Sequence, residues 1–220
     1  MSTVTLGTLD HLHRPAADED PRTLLLLHGT GATEHDLLPL AELLAPSAGV
    51  LSPRGRVLEH GLPRWFRRHA EGVFDLDDLV ERTHELGDWV GLAARHYGRD
   101  PARVIGAGFS NGANVAAASL LLRPGTLHAA LLFAPMLPVE PDQLPDLTGV
   151  GVFVSAGRRD PICPPEQVER LASLLTEAGA AVDLHWHAGG HELSSGQAAA
   201  GRAWLDRWDA GPPSGPDPAP

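Results

Sequence analysis

An α/β fold, in which helices cover both faces of a mostly parallel central sheet, is predicted by three observations in this 220-residue chain. Short apolar runs bounded by turn residues alternate with longer segments of helical spacing. The apolar runs are continuous rather than alternating, as strands buried on both faces require. One run, Arg103-Val104-Ile105-Gly106-Ala107, passes directly into a glycine-flanked turn and then a helix.

The elements follow in order. Residues 1–21 form an N-terminal segment with a candidate edge strand. Leu24-Leu25-Leu26-Leu27 is the first buried strand. Leu79, Thr83, Leu86, Val90, Ala93 and Tyr97 then recur on one helical face, with acidic residues at 75–78 at its start and Gly98 as its stop. Strands are expected at 104–107, 129–133, 150–155 and 181–187. Helices are expected at 111–122, from Pro164 or Pro165 to 178, and at about 194–208, with proline and glycine as start and stop signals. No repeat or linker divides residues 22–209, so they form one domain. The segment 210–220, rich in proline and glycine, cannot build a core and is read as a disordered tail.

Composition removes several function classes. The net charge of -11 argues against nucleic acid as a partner, because phosphate-backbone binders need a basic surface. All 17 basic residues are arginine, which excludes Walker-type phosphate loops, Schiff-base catalysis and serine-lysine dyads. No apolar run is long enough for membrane insertion and no secretory leader is recognisable, so the expectation is a cytoplasmic protein. The single cysteine, Cys163, has no partner for an internal disulfide and is by default a small buried thiol.

Chemistry enters with Gly108-Phe109-Ser110-Asn111-Gly112, a G-x-S-x-G pentapeptide between strand and helix. In that context the serine stands exposed on a tight turn, and glycines two residues to either side let neighbouring backbone pass close. A serine nucleophile needs a base, and the base needs a group that fixes its tautomer. Asp160 follows the fourth of these strands, in Gly157-Arg158-Arg159-Asp160-Pro161. His191 follows the last strand, in Ala188-Gly189-Gly190-His191-Glu192. Each alone is an ordinary turn residue, but together they fall in the order serine, acid, histidine at strand ends, as a catalytic triad on this architecture requires.

An oxyanion needs backbone N–H donors fixed in advance. Asn111, next to the serine at a helix start, supplies one. The loop His28-Gly29-Thr30-Gly31 supplies the other, with Thr30 favoured and Gly31 as the alternative or a substrate contact. His185 and His187 alternate on one strand with His191 in the turn beyond it, but no cysteine or carboxylate joins them at ligand spacing, so no metal is expected. Arg54, Arg56, Arg64, Arg67 and Arg68, with Trp65 and Phe66 between them, mark a basic loop in an acidic chain. Two readings stay open there: Arg54, Arg64, Trp65 and Phe66 grip an anionic or aromatic substrate, or the loop is a solvated lid paired with Asp75, Asp77 and Asp78.

Leu27-His28-Gly29-Thr30-Gly31, Gly108-Phe109-Ser110-Asn111-Gly112, Asp160-Pro161-Ile162-Cys163-Pro164 and Gly190-His191 resemble the carboxylesterase/phospholipase family of α/β hydrolases, which includes the acyl-protein thioesterases. The bacterial hydroquinone-responsive esterase branch is the nearest match, through Ser52-Pro53-Arg54-Gly55 and the 63–68 loop. The resemblance implies an α/β-hydrolase fold over residues 22–209, Ser110, Asp160 and His191 as triad, Thr30 and Asn111 as main-chain donors, and ester hydrolysis without cofactor or metal. Homodimers are common in the family. Asn111 and Thr30 depart from the glutamine and leucine usual in the thioesterase branch, so long-chain acyl specificity does not carry over. The expected activity is hydrolysis of small carboxylic esters through an acyl-enzyme. A thioesterase or lysophospholipase, and a non-catalytic hydrolase-fold receptor, are the alternatives.

Overall fold

In this computed structural model, which describes residues 1–17 and 19–209, twelve strands and five α-helices follow one another along the chain. The strands are β1 (Val4–Leu6), β2 (Leu9–Arg14), β3 (Thr23–Leu27), β4 (Gly49–Pro53), β5 (Val57–Glu59), β6 (Leu62–Arg64), β7 (Arg68–Ala70), β8 (Val73–Phe74), β9 (Val104–Phe109), β10 (Ala129–Phe133), β11 (Gly151–Gly157) and β12 (Ala181–His187). The helices are α1 (Leu38–Leu44), α2 (Leu76–His96), α3 (Asn111–Leu122), α4 (Pro165–Glu177) and α5 (Ser195–Asp209). The tail expected at 210–220 lies outside the described residues.

Eight strands form one sheet in the order β1-β2-β4-β3-β9-β10-β11-β12. From β4 to β12 every pairing is parallel, while β2 joins β4, and β1 joins β2, in antiparallel fashion. The N-terminal segment thus extends the edge of the same sheet with two strands.

Successive side chains of a strand point to opposite faces, and β3 shows the consequence. Leu25 and Leu27 pack in a core with α2, α3 and α4, whereas Leu24 and Leu26 pack in a second core with α1 and α5. All four leucines are fully buried. That explains the unbroken apolar run, since a polar residue at any of the four would lose its water without a partner. Each such leucine contributes on the order of 2 kcal/mol by burial.

Helix α2 starts where the acidic cluster predicts. The Asp75 side chain accepts the Asp78 N–H at 3.1 Å as an N-cap, and Arg95 and His96 complement the dipole at the other end. Helix α3 differs in kind: residues 111–121 are all buried, and its alanines allow close approach to the sheet. It carries the turn residue Ser110 at its N-terminus.

Residues 54–75, between β4 and α2, form two small hairpins, β5–β6 and β7–β8. Sequence spacing did not predict these hairpins, nor α1 or β4. Each is short, with a helix of two turns and strands of two to five residues, and periodicity needs more residues than that to register. Among the described residues no helix is long and apolar enough to cross a membrane.

Candidate active site

Ser110 adopts φ +53° and ψ -118°, a strained conformation for a residue with a Cβ, of the order of 1–3 kcal/mol. Its surroundings enforce it. A Cβ on Gly108 would strike the backbone of Gly112 and Ala113, and one on Gly112 would overlap the Leu27 carbonyl oxygen. The two glycines therefore let β9, α3 and β3 converge beneath the serine. The Ser110 N–H donates to the Phe133 carbonyl at 2.9 Å, which fixes the turn against β10.

Asp160 sits in the loop after β11 with its side chain almost fully buried. One carboxylate oxygen, Oδ1, accepts the N–H groups of Ile162 at 2.8 Å and Cys163 at 3.0 Å. The other, Oδ2, lies 2.8 Å from His191 Nδ1. His191 Nε2 is 2.9 Å from Ser110 Oγ. Its loop is held from below: Arg158 N–H donates to the His187 carbonyl at 2.9 Å and Arg159 N–H to the Gly189 carbonyl at 3.0 Å. Gly157 is required there too, because any side chain would collide with the Gly190 carbonyl. Three residues from three different loops thus form one hydrogen-bonded line. With Nδ1–H donated to Asp160, the Nε2 lone pair of a neutral imidazole faces the serine hydroxyl, as proton removal requires.

Cys163 packs behind the histidine. Its thiol donates to the Ala134 carbonyl at 3.2 Å and stands 3.6 Å from His191 Nδ1, and burial pushes its ionisation well up. It remains a neutral thiol. Asp160, Cys163 and His191 are the group of potential metal ligands brought together among the described residues, and two of them are committed to the serine's hydrogen-bonded line. His185 and His187 do not join His191. His185 stacks on Phe153, and His187 Nδ1 accepts the Gly189 N–H at 3.1 Å.

Thr30 and Ser110 line the same cavity, of about 360 Å³. Among the described residues nothing accepts from the N–H of Thr30 or of Asn111, which leaves both available to a developing oxyanion. The Gly31 N–H is already used, donating to the Pro63 carbonyl at 2.9 Å. Of the two expected donors in that loop, Thr30 is the available one. Leu37, Phe109 and Ile162 give the cavity an apolar wall, and Asp36, Arg68 and Glu71 give it charge. Two larger depressions of about 580 Å³, beside Trp204 and beside Trp89, are lined by other residues and include neither Ser110 nor His191.

The substrate contacts expected in the basic loop are corrected by burial. Trp65 and Phe66 are core residues, 4% and 0% exposed, and Arg64 is 2% exposed with its guanidinium on Glu59 at 3.1 Å. Arg54 is bound to Asp10 at 2.5 Å and also faces Glu34. None of the four lines the cavity. Arg67 pairs with Asp75 and Asp78, as the lid reading expects. Arg68 alone of the cluster reaches the cavity, next to Glu71. The residues missed by sequence reasoning adjoin the motifs already found: Phe109 precedes the serine, Ile162 follows Asp160 by two, and Leu37 and Asp36 follow the Thr30 loop.

A chain whose parallel sheet carries a serine on such a turn, backed by a histidine and a buried carboxylate from later strands, is an α/β hydrolase. Comparison with known proteins narrows the class. Residues 74–206 match the dienelactone hydrolase family, and the chain belongs to that family. The Bacillus subtilis (strain 168) protein MhqD, named as a hydrolase, is 44% identical over 196 residues, which cover 89% of this chain and 97% of MhqD. A solved Bacillus cereus carboxylesterase is 45% identical with a TM-score of 0.89, covering 91% of this chain and 94% of its own. A Mesorhizobium loti carboxylesterase is 33% identical with a TM-score of 0.85, covering 96% and 99%.

Proposed function

We propose that this hydrolase is a serine carboxylesterase that works through an acyl-enzyme. One observation carries the reading: His191 stands 2.9 Å from Ser110 Oγ through Nε2 and 2.8 Å from Asp160 through Nδ1. In the proposed reaction Ser110 Oγ attacks the ester carbonyl carbon while its proton passes to His191 Nε2. The carbonyl oxygen becomes an oxyanion held by the N–H groups of Thr30 and Asn111. Collapse of that intermediate breaks the bond to the leaving oxygen, which takes the proton from Nε2 and departs as the alcohol. Water then attacks the acyl-serine with His191 again as base, and releases the acid.

The cavity favours small, uncharged or aromatic esters. Its apolar wall suits a ring or a short acyl group, and about 360 Å³ is at the small end of ligand sites. The charge lining it is Asp36 and Glu71 against Arg68, so an anionic ester meets net repulsion. Kinship to chains named as carboxylesterases supports esters as the substrate class. A panel of p-nitrophenyl esters tests the reading. Turnover of the acetate and benzoate by the natural chain, and its loss in Ser110→Ala, is the expected result. Equal turnover by Ser110→Ala removes the proposal.

A further inference from the structure

Two backbone donors from separate loops can share one oxyanion only if something fixes the distance between those loops. Asn111 begins α3, and Thr30 lies in the loop after β3. Residues 63–65 of the hairpin segment touch both. The Trp65 N–H donates to Asn111 Oδ1 at 2.8 Å, and the same residue's indole Nε1–H donates to the His28 carbonyl at 2.9 Å. Two residues earlier, the Pro63 carbonyl accepts the Gly31 N–H at 2.9 Å. Thr30 is thus bracketed by bonds at His28 and Gly31 that lead back to one short segment, and that segment also grips the residue after Ser110.

His28 completes the arrangement. Its Nε2 accepts the Gly55 N–H at 2.9 Å, so its proton resides on Nδ1, which donates to the Gly29 carbonyl at 2.8 Å. Burial holds its ionisation below the ordinary imidazole value, which keeps this single-proton pattern intact. Asn111, Trp65 and His28 are each at most 4% exposed, so none of these bonds competes with bulk water.

We propose that Trp65 is a positioning residue for the oxyanion site, acting as a strap between the Asn111 turn and the Thr30 loop through its backbone and indole N–H groups. The inference rests on the proposed serine esterase reaction. Its effect belongs to the transition state, because the two donors meet a full negative charge only there, while substrate binding uses the cavity walls.

The test is a kinetic comparison of Trp65→Phe, Asn111→Ala and the double variant with the natural chain on p-nitrophenyl acetate. Thermal melting checks that each is folded. Trp65→Phe deletes the indole N–H and keeps an aromatic ring. Asn111→Ala deletes the Oδ1 acceptor and keeps the backbone donor. The expected result is a fall of roughly tenfold in kcat for each, less than the 10²–10³ typical for loss of an oxyanion donor itself, with KM within about twofold. The double variant should lose no more than about threefold beyond the worse single variant, because both cut the same strap. A transition-state-like boronic acid should weaken in step with kcat, while the product acid should not. Unchanged kcat in folded Trp65→Phe overturns the strap and leaves the esterase reading standing, as does a rise in KM alone. If Trp65→Phe does not fold, Asn111→Ala decides by the same criteria. A natural chain without Ser110-dependent turnover overturns the esterase reading and the strap with it.

Discussion

Gly112 lies directly under Leu27: a Cβ at residue 112 would overlap the Leu27 carbonyl oxygen. The last residue of β3 and the second of α3 therefore meet backbone to backbone. The serine turn owes its shape to that contact as much as to its own φ of +53°. Replacing Gly112 with alanine should cost at least ~3 kcal/mol, because a central helix has to move off a fully buried strand. Urea unfolding measures it. A loss below about 1 kcal/mol would mean that the turn is more forgiving than this packing.

In the proposed reaction Asp160 orients His191 and does not itself react. Its Oδ1 already accepts two N–H groups, and its Oδ2 holds His191 Nδ1. Asp160→Asn should leave the fold in place and lower kcat by roughly 10³–10⁴, because the amide can present N–H to Nδ1 and turn the wrong tautomer toward Ser110. Steady-state kinetics on p-nitrophenyl acetate check it, and a kcat within about tenfold of the natural chain's would remove Asp160 as the group that orients His191.

Stability should fall on mild acidification. Burial lowers the ionisation of His11 and His13 on β2, and of His28, below the ordinary imidazole value near 6.5. Between that value and their lower folded values the unfolded chain binds more protons than the folded one. Stability therefore rises with pH through that window and is lost as pH drops. Carboxylates held low by partners, such as Asp20 on Arg22 and Asp36 on the Thr33 N–H, lose their contribution only in a more acidic range. His13 stacks on Tyr97 with centroids 3.7 Å apart, and its Nε2 is buried without a partner. His13→Phe keeps the stack and should reduce the drop in Tm between pH 7 and pH 5. An unaltered drop would assign the effect elsewhere.

Charge at the cavity should set ester preference. Glu71 is paired with Arg68 beside Ser110, and Asp36 is on the same lining. Glu71→Gln should raise kcat/KM severalfold for a negatively charged ester relative to a neutral one at low salt, and less at high salt. Arg68→Ala should shift the ratio the other way. Equal effects on both esters would remove the electrostatic account.

The sequence disclosed what local backbone demands alone determine. Gly108, Ser110 and Gly112 are spaced within one strand-turn-helix unit, which made the turn legible although Gly112 is also pressed by Leu27 of β3, and Asp160 and His191 each follow a strand long enough to recognise. Leu24, Leu25, Leu26 and Leu27 told of a strand buried on both faces for the same reason. The basic loop stays open between two readings in the sequence because composition reports a cluster without saying which side chains turn inward. Trp65 and Phe66 fill the core, Arg64 is buried on Glu59, and Arg68 alone meets the cavity. The role of Asn111 as acceptor for the Trp65 N–H depends on contact between residues 46 positions apart, which no local spacing encodes.

Intact-mass and peptide analysis of the chain after exposure to a fluorophosphonate tests the central claim most directly. A single covalent adduct on the peptide containing Ser110, absent from Ser110→Ala and slowed in His191→Ala, is the expected result. Ester turnover by a chain whose Ser110 stays unlabelled would contradict the account.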